Sequence, residues 1–131
     1  AHMEDGLCKG IYVTSVDSCV YKAYCDGSKV VDLVPNSRPR GIAINPDDKT
    51  LFWTELGQIY RSDMYTGKNA TVIHSSPDSF FIFMTIDVSR KRLYVTDQTT
   101  GTIKSINYDG TENGVVKVVE SPKGIAAGYD C

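Results

Sequence analysis

The chain contains 131 residues, of which 41% are hydrophobic and 23% are charged, and it carries a formal net charge of −2. These proportions are typical of a folded globular protein, and the slight acidic excess argues against a nucleic-acid-binding surface. The longest apolar run, residues 80–84, is too short to cross a bilayer, so no membrane insertion is predicted.

Residues 1–3, Ala-His-Met, are typical of an expression-tag remnant, and residues 4–131 have the length of one domain. Three similar pentapeptides, at 11–15, 51–55 and 93–97, start 40 and then 42 residues apart. Each alternates its side chains at period two and has threonine in fourth place. This pattern indicates one β-strand in a unit that is repeated along the chain.

All predicted elements are β-strands, because turn pairs such as Asp26-Gly27, Thr66-Gly67 and Asp109-Gly110 separate short apolar segments. No segment shows a sustained helical period. Four strands in each repeat of this length are typical of a β-propeller blade. In chain order, the predicted strands are 11–15, 20–24, 30–34, 41–46, 51–55, 59–64, 71–74, 83–88, 93–97, 103–107, 115–119 and 124–129.

The motif Gly-Ile-Ala-Ile-Asn-Pro at 41–46, followed by Leu-Phe-Trp-Thr-Glu at 51–55, resembles the YWTD repeat, which is the class B repeat of low-density-lipoprotein receptors. The resemblance extends over residues 7–129. It implies four-stranded blades of a six-bladed propeller, an extracellular setting and the recognition of other proteins.

The chain departs from the YWTD pattern at three positions. Ser15 and Glu55 stand where the family has aspartate, and Phe83 stands where the other copies have Gly41 and Gly124. The Tyr-Val-Thr triplets also resemble bacterial YVTN and NHL propellers.

The fold prediction is therefore an all-β, three-blade half of a six-bladed ring. Residues 124–129 form a surplus first strand, and the first repeat lacks one. We expect two chains to close the ring as a homodimer by exchanging this strand, which removes exposed sheet edges. The competing arrangements are half of a longer propeller and three blades that stay open.

The same register brings Cys8 and Cys131 to one break in a blade, so an intermolecular Cys8–Cys131 disulfide is predicted. Cys8–Cys25 is the alternative pairing, and the state of Cys19 is left open. Disulfides form in oxidising compartments, which favours an extracellular protein, secreted or part of an ectodomain.

No catalytic residue, metal site or cofactor is predicted. His74 lies beside serines without a nucleophile elbow, so ordinary surface is the favoured interpretation. Asn45 and Asp87 are expected to bind the turns that follow them rather than to line a channel. Residues 109–114 are expected to form a hairpin turn and not a calcium loop. Asn69-Ala70-Thr71 is a predicted glycosylation site.

Aromatic residues in the segment 75–83 break the strand alternation, so at least one is expected to point to the channel or to solvent, although packing of all three between blades is the competing interpretation. In a propeller, this connection lies on the same face as the loops between second and third strands. The predicted binding face comprises Arg38, Arg40, Glu55, Phe80, Phe81, Phe83, Asp97 and Lys123.

These features predict a non-catalytic, extracellular protein-binding or adhesion module. The first alternative is a secreted lectin that stacks sugars on Trp53, Tyr94 or the aromatic cluster at Phe80. The second is a metal-dependent hydrolase that uses Asn45 or Asp87 in the channel.

Overall fold

A computed structural model describes residues 10–15, 19–35 and 37–118. Within these ranges the chain forms strands and turns without a helix, and the strands make three antiparallel sheets. The all-β prediction is confirmed. The strands are β1 (Ile11–Ser15), β2 (Cys19–Ala23), β3 (Val31–Pro35), β4 (Ile42–Asn45), β5 (Thr50–Glu55), β6 (Gln58–Asp63), β7 (Thr71–Ser75), β8 (Phe81–Asp87), β9 (Arg92–Asp97), β10 (Thr102–Asn107) and β11 (Glu112–Val118).

Each sheet follows chain order, as in propeller blades. The first blade is β1-β2-β3, the second is β4-β5-β6-β7 and the third is β8-β9-β10-β11. The sheets lie side by side, since β4 of the second blade contacts both β1 of the first blade and β8 of the third. The repeats detected in the sequence are therefore blades that stack face to face.

Two strands begin at least two residues earlier than the sequence pattern predicts. β8 begins at Phe81 instead of Phe83, and β11 begins at Glu112 instead of Val115. Both contain irregular pairing: the register shifts between Phe81 and Met84 and twice along β10–β11. A bulge inserts an unpaired residue and interrupts the alternation, which hides these strand ends in the sequence.

Two hydrophobic clusters fill the spaces between blades. Leu51 and Trp53 of β5 face the first blade, where they pack with Val20 and Leu33. Phe52, between them, faces the third blade. This alternation follows from the period of a strand, whose successive side chains point to opposite faces. The second blade is thus buried on both faces.

Threonine side chains link the blades by hydrogen bonds. Thr54 Oγ1 accepts from the N–H of Gly41 at 2.9 Å and donates to the carbonyl of Phe81, in the next blade, at 3.0 Å. Thr14 Oγ1 donates to the carbonyl of Arg40 at 2.8 Å. The threonine of the repeated motif therefore bonds the first blade to the second and the second blade to the third.

The hydroxyl of Tyr12 adds a further bond between the first two blades. It donates to the carbonyl of Met64 at 2.7 Å. Burial and the nearby Tyr65 and Asp63 raise the pKa of Tyr12 to about 12, so the phenol keeps its proton at neutral pH.

Asn45 and Asp87 bind the turns that follow them, as predicted. Asn45 Oδ1 accepts from the N–H of Asp47 at 3.0 Å, and its Nδ2 donates to Tyr108 of the third blade at 3.2 Å. Asp87 Oδ1 accepts from the Ser89 hydroxyl at 2.8 Å. Both side chains therefore have a structural role in holding the turns that follow them.

The predicted strand 124–129, together with Cys8, Cys131 and Lys123, lies outside the described residues. Cys19 is a free, buried cysteine, and Cys25 is disulfide-bonded. In the described part of the chain, no helix is long and apolar enough to span a bilayer.

Candidate functional site

The loops at one end of the strands form a continuous surface, which we call the loop face. It comprises the connections 37–41 and 76–80 and the turns 56–57 and 98–101. Backbone hydrogen bonds join them: Ser76 N donates to Gly57 O at 2.8 Å, Phe81 N to Leu56 O at 2.8 Å and Gln98 N to Phe80 O at 2.9 Å. The two classes of loop therefore adjoin, as the propeller pattern predicts.

The three phenylalanines at the start of β8 have different environments. Phe81 is fully buried in the cluster between the second and third blades, and Phe80 is half-buried. Phe83 is 38% exposed, because the bulge between Phe81 and Met84 turns it away from the core. At least one aromatic thus reaches solvent, as expected. Assigning Phe81 to the binding face was wrong.

Arg40 lies over the ring of Phe80. Its guanidinium carbon is 5.0 Å from the ring centroid, within cation–π distance, and the side chain is exposed. The two residues come from successive connections, 37–41 and 76–80, so the contact joins the second and third blades on the loop face. It presents a positive charge on an aromatic support.

Glu55 and Asp97 hold the two connections in equivalent ways. Glu55 Oε1 accepts from the N–H of Arg38 at 3.0 Å, and Asp97 Oδ1 accepts from the N–H of Phe80 at 3.0 Å. Glu55 thus makes the bond that aspartate makes in the third blade, although its side chain is one carbon longer. Its second oxygen accepts from Trp53 Nε1 at 2.9 Å.

Asp97 is fully buried and therefore does not belong to an exposed binding face, contrary to the prediction. Its Oδ2 lies 3.3 Å from Lys104 Nζ, an ion pair without good hydrogen-bond geometry. Burial raises the pKa of Asp97, but bonds from Ser79, Phe80 and neighbouring donors outweigh it and keep the pKa below its usual value. The carboxylate is ionised and structural.

Leu56 is a loop-face residue that the sequence pattern did not identify. It is 71% exposed and has a φ of 51° in the tight turn between β5 and β6. That turn is compact because Gly57 packs against Ser76, whose carbonyl oxygen would clash with a Cβ at this position. A leucine in a two-residue turn between polar residues was the available signal.

Trp53 and His74 have structural roles. Trp53 is 1% exposed and stacks on Tyr60 at 5.3 Å, so it cannot receive a sugar. His74 is half-buried rather than ordinary surface, and its Nδ1 lies 2.8 Å from the carbonyl of Gly110 in the next blade. No group of three or more potential metal-ligating side chains occurs in the described ranges.

Comparisons with known proteins agree with this fold. No family profile matches the chain. A vitellogenin receptor from Solenopsis invicta is 26% identical over 124 residues, which are 90% of this chain and 7% of the receptor. The chain thus spans a small part of that relative.

Solved structures give the fold independently. A chain of the nidogen/laminin complex superposes with a TM-score of 0.71 at 16% identity, over 89% of this chain and 46% of that chain. Regucalcin from Agrobacterium tumefaciens gives 0.70 at 18% identity over 87% and 41%, and a gluconolactonase from Xanthomonas campestris gives 0.67 at 20% over 81% and 36%. The chain spans less than half of each. These proteins are β-propellers, and with the receptor match they confirm the resemblance to the low-density-lipoprotein receptor class B repeats.

Proposed function

We propose that this chain is a non-catalytic, extracellular protein-binding or adhesion module that acts through the loop face. The observation that carries the proposal is the cluster formed by Arg40 on Phe80, with Phe83 and Leu56 exposed beside the same connections. Arginine and large apolar side chains are enriched in the central residues of protein interfaces.

The loop face is rigid, which favours binding. Arg40 is supported by an aromatic ring, and the connection below it is bonded to Glu55 through Arg38. Side chains that are already ordered lose less conformational entropy when a partner binds. The pKa of the buried Asp97 stays low, so its carboxylate supports the neighbouring connection at neutral pH.

The relatives support a protein partner and an extracellular setting. The vitellogenin receptor is, by its name, a receptor, and the similar chain of the nidogen/laminin complex was solved together with its protein partner. We propose that the face is carried on a six-bladed ring made by two copies of the chain. Lys123, which lies outside the described residues, is proposed to add a further positive charge to the loop face.

Surface plasmon resonance tests the proposal on the purified full chain, with immobilised secreted proteins that include laminin. We expect at least one protein to bind, and Phe83→Ser and Arg40→Gln to weaken that binding about tenfold or more, since interface anchors contribute over 1.4 kcal/mol. Tyr65→Ser is the matched control, because Tyr65 is 54% exposed in the turn at the opposite end of the strands.

A glycan array and a lactone hydrolysis assay serve as the competing readouts. Binding to glycans alone, reduced by Tyr94→Ala, would replace the proposal with the lectin alternative. Turnover of a lactone, lost in Asn45→Ala, would replace it with the hydrolase alternative that the gluconolactonase-type fold allows.

A further inference from the structure

The first blade exposes apolar side chains that its successors bury. The positions of Ile11 and Val13 in the first blade correspond to Leu51 and Trp53 in the second, and to Leu93 and Val95 in the third. These four counterparts are at most 1% exposed, because the preceding blade packs against them. Ile11 is 38% exposed and Val13 is 49% exposed.

A glycine turn completes each observed contact between blades. A Cβ at Gly67 would clash with the carbonyl oxygen of Leu33 in the preceding blade, and a Cβ at Gly110 would clash in the same way with the carbonyl oxygen of Ile73. Both glycines have positive φ, at 69° and 91°. The turn between third and fourth strands is thus a contact element that only glycine fits.

The first blade contains the same turn without its neighbour. Gly27 has a φ of 85°, and Asp26 bonds to Ser28 as Asp109 bonds to Thr111 in the turn of Gly110. No described residue lies within 4 Å of the position that a Cβ of Gly27 would take. The turn has the conformation needed for contact with a preceding blade.

The third blade presents the complementary surface. Leu33 and Ile73 are the bulged residues of β3 and β7, which the regular pairing with β2 and β6 skips. Val116 is skipped in the same way by the pairing of β10 with β11. Leu33 is 7% exposed and Val116 is 56% exposed. The bulge at Val116 therefore lacks the covering turn that Leu33 receives from Gly67.

We propose that the third blade of one copy receives the first blade of a second copy, with the Gly27 turn on the Val116 bulge and with Ile11 and Val13 covered by the partner. This contact repeats an interface that the chain forms twice within itself. Propellers close with about four to eight blades, so three blades per copy close only as a pair. The inference rests on the ring suggested above and names the surfaces that close it.

Sedimentation velocity on the full chain tests the contact. We expect a dimer for the unmodified protein and monomers for Val13→Glu and for Val116→Lys, because each change buries an unpaired charge in both interfaces of the homodimer. An equimolar mixture of the two variants should recover a dimer: one interface then joins Glu to Lys, and the other joins two unmodified surfaces.

Val72→Glu is the matched control, because Val72 is 45% exposed on the outer strand of the enclosed second blade; it should remain a dimer. Circular dichroism checks that each variant is folded. A monomeric unmodified protein would overturn the proposal, and so would a dimer that persists in both Val13→Glu and Val116→Lys. Arg40→Gln, at the contact between the second and third blades of one copy, should remain dimeric, which separates failure of the ring from failure of ligand binding.

Discussion

At the scale of single residues, the threonine of the repeated motif carries the connection between blades. Thr54 is completely buried, and its hydroxyl uses both its donor and its acceptor capacity, toward Phe81 and Gly41. Thr96, also buried, accepts from the N–H of Phe83 at 3.1 Å. A hydroxyl is required at Thr54 because the two groups that it bonds belong to different blades, whereas Thr96 bonds a residue of its own blade.

Thr54→Val should therefore lower the free energy of unfolding. Valine has nearly the same shape, but it leaves a buried N–H and a buried carbonyl without their partner, at a cost of about 1–3 kcal/mol each. Urea denaturation measures the effect. Thr71→Val on the exposed strand β7 is the control and should change stability little; equal losses in both variants would contradict the interpretation.

Asp97 makes the stability of the third blade depend on pH. Its pKa is lower in the folded chain than the unfolded value of about 3.9, so its contribution is complete above that value and is lost as the pH falls through the folded pKa. Asp97→Asn should lower the free energy of unfolding at neutral pH. The difference in this free energy between the variant and the unmodified protein should become smaller below about pH 4. Chemical denaturation across this pH range measures the free energy of unfolding of both proteins. A difference that does not change with pH would show that the Asp97 carboxylate is not the source of the pH dependence.

At the scale of elements, the motif strands could be predicted from the sequence, whereas the starts of β8 and β11 could not. The motif strands at 11–15, 51–55 and 93–97 alternate strictly, and they match β1, β5 and β9 within one residue. The bulge in β8 could not be predicted, because the sequence does not show which of three nearby phenylalanines points into the core. This is why Phe81 was placed on the surface.

The loop face was predictable only in part for a similar reason. Its location follows from the order of the strands in a blade, which the repeats define. The exposure of Leu56 depends on a positive φ in a two-residue turn, and the Arg40–Phe80 contact depends on how two blades are stacked. Neither property is encoded by a local pattern of apolar residues.

The glycine turns give a matched test of how elements contact each other. Gly110→Ala and Gly27→Ala place alanine at nearly the same positive φ, so the backbone strain is similar in both. Only the first introduces a clash, with Ile73, and overpacking costs about 1–3 kcal/mol. We expect Gly110→Ala to be the more destabilised by about that amount.

These two variants are best compared by thermal unfolding in the Val116→Lys background, in which the proposed dimer does not form and Gly27 has no partner blade. Similar stabilities of the two variants there would show that the glycine turns are not the contact element between blades.

At the scale of the whole molecule, the two ends of the strands carry different surface features. The loop face carries the exposed aromatic and cationic cluster, whereas the opposite end carries the glycine turns and Asn69. Asn69 is exposed, has a φ of 60° and lies in the turn between β6 and β7. A glycan at Asn69 would thus leave the loop face open to a protein partner.

When the chain is secreted from a eukaryotic host, we expect one N-linked glycan, at Asn69, because the sequon is exposed in a turn and the enzyme that attaches the glycan can reach it. Intact mass before and after treatment with an N-glycosidase measures the addition. Thr71→Ala removes the sequon, keeps the asparagine that tolerates the positive φ, and should abolish the mass difference. Glycosylated and unglycosylated protein should bind a loop-face ligand equally. Weaker binding of the glycosylated form, restored by Thr71→Ala, would instead place the binding surface at the end of the strands that carries Asn69.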